Sequence, residues 1–182
     1  MSGGDRIRLF CALRLAEPAL DALVAWQRRH LPGGGEGVRL VPRANLHVTL
    51  AFLGSRPAGD VPAIAGVLRE AAGAAGRVEL APERYRETRS VGMVVLSDLT
   101  GAATALAERV QAGLEREGLY RREQRAWLPH VTVARFRDRP RLGVTVEGMA
   151  NVCPSDAAVM VSVPAPAGAR YEVVETAVLG GR

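Results

Sequence analysis

The tetrapeptide His47-Val48-Thr49-Leu50 returns, with one conservative change, as His130-Val131-Thr132-Val133, and the two blocks hold two of the three histidines in the chain. In a β-strand, successive side chains alternate between faces, so residues i and i+2 look the same way. Each block therefore sets an imidazole and a hydroxyl side by side on one face. Val48 and Leu50, or Val131 and Val133, point into an apolar interior. Two such strands brought together line one cleft with two histidines and two threonines. A pair of imidazoles, one giving a proton while the other takes one, can cleave a phosphodiester without a metal.

The surroundings of the two blocks repeat as well. Ile7–Leu13 reads as a buried strand, Ala19–His30 as a helix with Pro18 in its first turn, and Leu31-Pro32-Gly33-Gly34-Gly35 as its stop. Val38–Val41 is a short strand, and Leu46–Leu53 the first His-Val-Thr strand, ended by Gly54-Ser55-Arg56-Pro57. An amphipathic helix over Val61–Ala75, a short strand at Val78–Leu80 and a polar, Arg-rich stretch over Pro82–Ser90 follow. Then the order restarts: a strand at Gly92–Leu96, a helix over Thr100–Glu117 stopped by Gly118, a basic loop at 120–125, Pro129, and the second His-Val-Thr strand. Val144–Val146, Ala158–Val163 and Tyr171–Val178 supply further strands, the last two joined by a turn at 164–168. No long linker divides the chain. Residues 1–182 are expected to form one α+β body of two pseudo-symmetric lobes.

Composition sets bounds. Nearly half of the 182 residues are apolar and 24% are charged, ordinary values for a soluble globular protein. All 24 basic residues are Arg, which grips phosphate bidentately and stacks on bases where Lys cannot. A net charge of +5 leans modestly toward anionic partners. Cys11 and Cys153 make neither a disulfide framework nor a zinc site, and Cys11 falls within an apolar strand. The start of the chain lacks the apolar run of a signal peptide, and no stretch approaches the ~18 apolar residues of a membrane span. A cytoplasmic protein with no membrane partner is expected.

Arg8-Leu9-Phe10, Val41-Pro42, Asn45-Leu46-His47-Val48-Thr49-Leu50-Ala51-Phe52-Leu53-Gly54, Leu128-Pro129-His130-Val131-Thr132-Val133-Ala134-Arg135 and Gly168-Ala169-Arg170-Tyr171 stand in this order along the chain. Two His-x-Thr-apolar blocks about 80 residues apart in that context resemble the 2H phosphoesterase superfamily. Within it, they resemble the RNA 2′,3′-cyclic phosphodiesterases, also known as 2′-5′ RNA ligases or LigT-like proteins. The resemblance implies a bilobed α+β fold, two antiparallel sheets lining a central cleft with helices outside. It implies a metal-independent hydrolase that opens a 2′,3′-cyclic phosphate at an RNA end and leaves a 2′-phosphate. His47 would be the proton donor to the departing O3′ and His130 the proton acceptor that activates water. Thr49 and Thr132 would hold the non-bridging oxygens. The implied partners are RNA ends or small cyclic-phosphate nucleotides, with no cofactor and no metal, and the protein is expected to be a monomer.

Arg135 is the least direct of these assignments. Simple alternation turns a residue five after His130 to the opposite face, so Arg135 reaches the phosphate only if the strand bulges. The family pattern has Arg there, and it is kept as a substrate ligand. Phe10 and Trp127 could stack on a base or pack in the core. His30 ends a helix where a cation suits the macrodipole, and reads as structural. The clusters Arg84/Arg86/Arg89 and Arg121/Arg122/Arg125 read as solvated surface, with an RNA track as the lesser reading. Two other functions stay open: the same site used for 2′-5′ ligation or for a small cyclic nucleotide, and a binding module for RNA ends without catalysis. Two complete His-Thr pairs count against the last.

Overall fold

A computed structural model describes residues 5–33, 37–166 and 168–181. Their strands are β1 (Arg6–Arg14), β2 (Val38–Leu40), β3 (His47–Pro57), β4 (Leu80–Glu87), β5 (Val91–Asp98), β6 (His130–Phe136), β7 (Asp156–Ala165) and β8 (Gly168–Val178). The helices are α1 (Glu17–His30), α2 (Val61–Gly73) and α3 (Ala102–Arg116). The start of the chain, Met1–Gly4, lies outside the described residues, as do Gly34 and Gly35 of the expected helix stop and Ala167 of the expected turn.

Hydrogen bonding orders the strands β4-β5-β6-β3-β1-β7-β8, with β2 also against β6, and every pairing is antiparallel. The order reads the same from the middle outward. β6 and β3 meet at the centre, β5 and β1 flank them, and β4 and β7 come next. The centre is narrow: β3 and β6 share the single registered pair Val48–Val131. The two expected sheets are thus joined into one curled sheet through that pair, and each His-x-Thr strand lies beside the junction.

Burial follows the period of each element. In β3 and β6, Val48, Leu50, Val131 and Val133 are fully or almost fully buried, while His47, Thr49, His130 and Thr132 are partly open. Along α1, Leu20, Leu23, Trp26 and Gln27 face inward, and along α3, Leu106, Val110, Gln111 and Leu114 do so. One apolar cluster receives side chains from both ends of the sheet and from all three helices. Cys11 belongs to it, and burial pushes its thiol pKa up to about 12, which leaves it an inert core residue.

Four elements differ from the sequence expectation, the first being the short strand expected at Val78–Leu80, where only Leu80 is in a strand, as the start of β4. The first part of the polar stretch, 82–87, belongs to β4, an edge strand whose solvated residues hide its period. β3 does not end at Gly54 but passes through it, using a left-handed backbone (φ 70°) that glycine adopts without strain. The segment 144–146 is irregular instead of a strand, and the Trp26 indole Nε1 donates to its Thr145 carbonyl at 2.8 Å.

Candidate active site

At each histidine a backbone carbonyl two residues back orients the ring, after a helical turn at Arg43–Asn45 in one case and after Leu128-Pro129 in the other. His47 Nδ1 donates to the Asn45 carbonyl at 2.7 Å, and His130 Nδ1 donates to the Leu128 carbonyl at 2.8 Å. A carbonyl only accepts, so both neutral rings carry the proton on Nδ1 and leave Nε2 as the reactive nitrogen. In His47, Nε2 lies 3.0 Å from the Thr49 hydroxyl, which donates to it in the neutral ring. Because Val48 pairs with Val131, His47 lies toward Thr132 and Thr49 toward His130 across the junction. Each imidazole therefore faces its own threonine along the strand and the other threonine across it.

A cavity of about 480 Å³ opens on this face. His47, Thr49, Thr132 and Arg135 line it, together with Arg8, Phe10, Asn45, Phe52 and Tyr171 from the β1, β3 and β8 side. His130 does not line the cavity itself. It stands on the same face of β6, two residues before Thr132, close enough for its charge to act on His47.

Arg135 reaches the cleft by a bulge. Gly92 of β5 pairs with Ala134 and Met93 with Thr132, so Val133 is an extra residue in β6. Val133 and Ala134 both turn inward, and Arg135 returns to the face of His130 and Thr132. β3 does the same: Cys11 pairs with Ala51 and Ala12 with Thr49, which makes Leu50 the extra residue and brings Phe52 to the cleft face. Phe52 is 52% exposed, unusual for a large apolar side chain, and the Arg8 guanidinium lies 5.7 Å from its ring centre. Phe52 is a site residue that the sequence analysis misses. The signal for it is the step of five residues from His47, the same step that leads from His130 to Arg135.

The other sequence candidates sort cleanly. Phe10 is almost fully buried, its ring centre 5.0 Å from both the His47 and Tyr171 rings, so it packs against the imidazole in the cavity wall. Trp127 donates from Nε1 to the Thr49 carbonyl at 2.9 Å and braces β3. His30 stacks on Trp26 at 5.5 Å, as a structural residue would. Arg84 pairs with Glu83, Arg122 with Glu115 and Arg125 with Glu123, all on the surface. Asn45 is a second site residue without a sequence signal of its own. It is nearly buried, donates from Nδ2 to the Ala169 carbonyl at 2.7 Å and accepts from Tyr171 N–H at 3.2 Å, which ties the start of β8 to the turn that orients His47.

Burial governs the charge of His47. Loss of hydration pushes the His47 pKa down to about 4, helped by the nearby His130 and Arg135 charges and opposed by the Asn45 carbonyl. His47 is therefore neutral near pH 7 in the free protein. Among the described residues, no three His, Cys, Asp or Glu side chains come together as metal ligands.

A curled antiparallel sheet with two His-x-Thr strands at its centre is the fold of the LigT-like 2H phosphoesterases. The structure of TT0787 from Thermus thermophilus superposes with a TM-score of 0.81 at 26% identity, covering 97% of this chain and 100% of that one. Escherichia coli LigT in its apo form gives 0.80 at 22% identity, covering 97% and 99%, and its complex with 3′-AMP gives 0.80 at 20%, covering 96% and 99%. Residues 16–166 match the model of the 2′-5′ RNA ligase superfamily, and the chain belongs to that superfamily. Phosphodiester chemistry, by hydrolysis or ligation, is the class of reaction this places it in.

Proposed function

We propose that this protein hydrolyses 2′,3′-cyclic phosphodiester ends of RNA to 2′-phosphomonoesters, with His47 as proton donor and His130 as proton acceptor. The observation that carries the reading is the paired arrangement at the junction. Two imidazoles, each with Nδ1 tied to a carbonyl and Nε2 left as the reactive nitrogen, share one face with two threonine hydroxyls and Arg135, and the Thr49 hydroxyl sits 3.0 Å from His47 Nε2. His130 Nε2 takes a proton from water as it attacks phosphorus. His47 Nε2 returns one to O3′ as the ring opens. Between them the two imidazoles move every proton the reaction needs, so no metal is called on. Thr49, Thr132 and Arg135 hold the non-bridging oxygens, whose charge the Arg fork suits. Phe52, exposed on the cavity rim, offers a face for the terminal base.

E. coli LigT has been crystallised with 3′-AMP, ATP and NADP+, all nucleotides, which agrees with a cavity that takes a nucleoside beside a phosphate. The reverse reaction, joining a cyclic phosphate to a 5′-hydroxyl, would use the same two histidines. The deciding experiment is incubation with an oligonucleotide ending in a 2′,3′-cyclic phosphate, in EDTA, with the product position mapped. A 2′-phosphate formed at full rate is expected. Activity abolished by EDTA and restored by a divalent ion would sink the proposal.

The threonines separate phosphate grip from proton transfer. Thr49→Val and Thr132→Val keep the β-branched shape and delete only the hydroxyl. A hydrogen bond to a charged group is worth roughly 1.5–3 kcal/mol, so each change should lower kcat/KM about 10- to 100-fold. Wild-type kcat/KM in both variants would reduce the repeated Thr to a strand former.

A further inference from the structure

Two glutamines are buried in this protein, and they sit in corresponding places. Gln27 lies on α1, 20 residues before His47, and Gln111 lies on α3, 19 residues before His130. They are 2% and 8% exposed, far below what an unpartnered amide tolerates. Gln27 Nε2 donates to the Val133 carbonyl at 2.7 Å and to the Val41 carbonyl at 3.0 Å. Gln111 Nε2 donates to the Leu50 carbonyl at 2.9 Å. Val133 and Leu50 are the bulged residues of β6 and β3.

We propose that Gln27 and Gln111 are positioning residues, each holding the bulge that turns a substrate-contacting side chain into the cleft. The clamp is reciprocal. α1 follows β1 yet reaches β6, and α3 follows β5 yet reaches β3, so each half of the chain fixes the bulge of the other. A bulge breaks the regular ladder at its extra residue, and the buried carbonyl there takes donors from elsewhere: Leu50 from Gln111, and Val133 from Gln27 beside the Val41 N–H at 2.9 Å. Leu, Ile or Val at 111 would fill the space and supply no donor to Leu50, and at 27 would leave Val133 the Val41 N–H and strip the amide that ties Val133 to Val41. Without the bulge at Val133, alternation returns Arg135 to the core side. Without the bulge at Leu50, Phe52 goes the same way. Gln27 thus governs the phosphate grip and Gln111 the aromatic face, whereas His47, Thr49, His130 and Thr132 precede both bulges and keep their places.

The inference rests on the proposed role of Arg135, and its test distinguishes the two. Gln27→Met keeps the volume and removes both donated bonds. KM on a cyclic-phosphate oligonucleotide should rise roughly 3- to 10-fold with kcat nearly unchanged, in line with one or two neutral hydrogen bonds. In a double-mutant cycle, Gln27→Met with Arg135→Met should be no worse than Arg135→Met alone. Gln111→Met should leave the Arg135 effect intact and show the same non-additivity with Phe52→Ala. A merely stabilising glutamine would lower Tm and leave the KM of the single variant at the wild-type value, and that result overturns the proposal. If Arg135→Met itself changes nothing, the phosphate reading fails and not the clamp. The clamp is then read from the cross-strand register in Gln27→Met, by nuclear Overhauser contacts between Gly92 and Ala134. Loss of that pairing supports it, and an intact bulge refutes it. Should the Met variant not fold, Gln27→Glu keeps the shape, and a KM that stays at the wild-type value as its carboxyl ionises refutes the clamp equally.

Discussion

Replacing either His47 or His130 with alanine is expected to lower turnover on a 2′,3′-cyclic phosphate by about 10²–10⁴, the worth of a positioned general acid or base. The two changes should be nearly equal in effect, because loss of either proton transfer stalls the same step. The double variant should be scarcely slower than either single one, since residues that act as a unit are not additive. Folding should respond unequally. The His47 ring packs against Phe10 and Tyr171, with centroids 5.0 and 5.4 Å away, so His47→Ala opens a gap that His130→Ala does not. Thermal midpoints measured beside the rates separate that packing loss from the chemical one. A single variant that keeps near-wild-type turnover would end the two-histidine assignment.

The parts of the site that are legible in the sequence are those whose signal is local. His47, Thr49, His130 and Thr132 sit within three residues of one another in each block, and strand alternation alone places each pair on one face. The helices are legible for the same reason, since Leu20, Leu23, Leu106, Val110 and Leu114 recur at helical spacing. What escapes depends on partners far away in the chain. Phe52 looks like another core residue until the extra residue at Leu50 is counted, and that count exists only against β1. Gln27 and Gln111 carry no local signal, because the carbonyls to which they donate lie 106 and 61 residues away. β4 has few buried side chains and declares itself only through its ladder to β5.

The same low-dielectric packing that orients His47 also makes its charge state depend on the ligand. In the free protein its pKa is about 4, against about 6.5 for an ordinary histidine. The sign of the stability effect follows. Between pH 6.5 and 4 the unfolded chain holds a proton that the folded one does not, so this part of the stability is complete above about pH 6.5. It is lost as pH falls toward 4, and by up to about 3 kcal/mol. Denaturant midpoints should drop over that window in the wild type and much less in His47→Gln. A phosphodiester anion has the opposite effect on the ring. Seated at Thr49 and Arg135, it offsets the positive charge of Arg135 and favours the imidazolium, so binding takes up a proton. If His47 is the acid, that uptake is what arms it, and the anion that is to be cleaved supplies the charge that protonates its own catalyst. Nuclear magnetic resonance of the His47 ring should show a pKa near 4 in the free protein, rising by roughly two pH units or more with inorganic phosphate or 3′-AMP bound. A ring that stays near 4 in the complex cannot deliver a proton at neutral pH. His47 would then be the base, His130 the acid, and the direction of proton flow across the cleft would be the reverse of the one proposed.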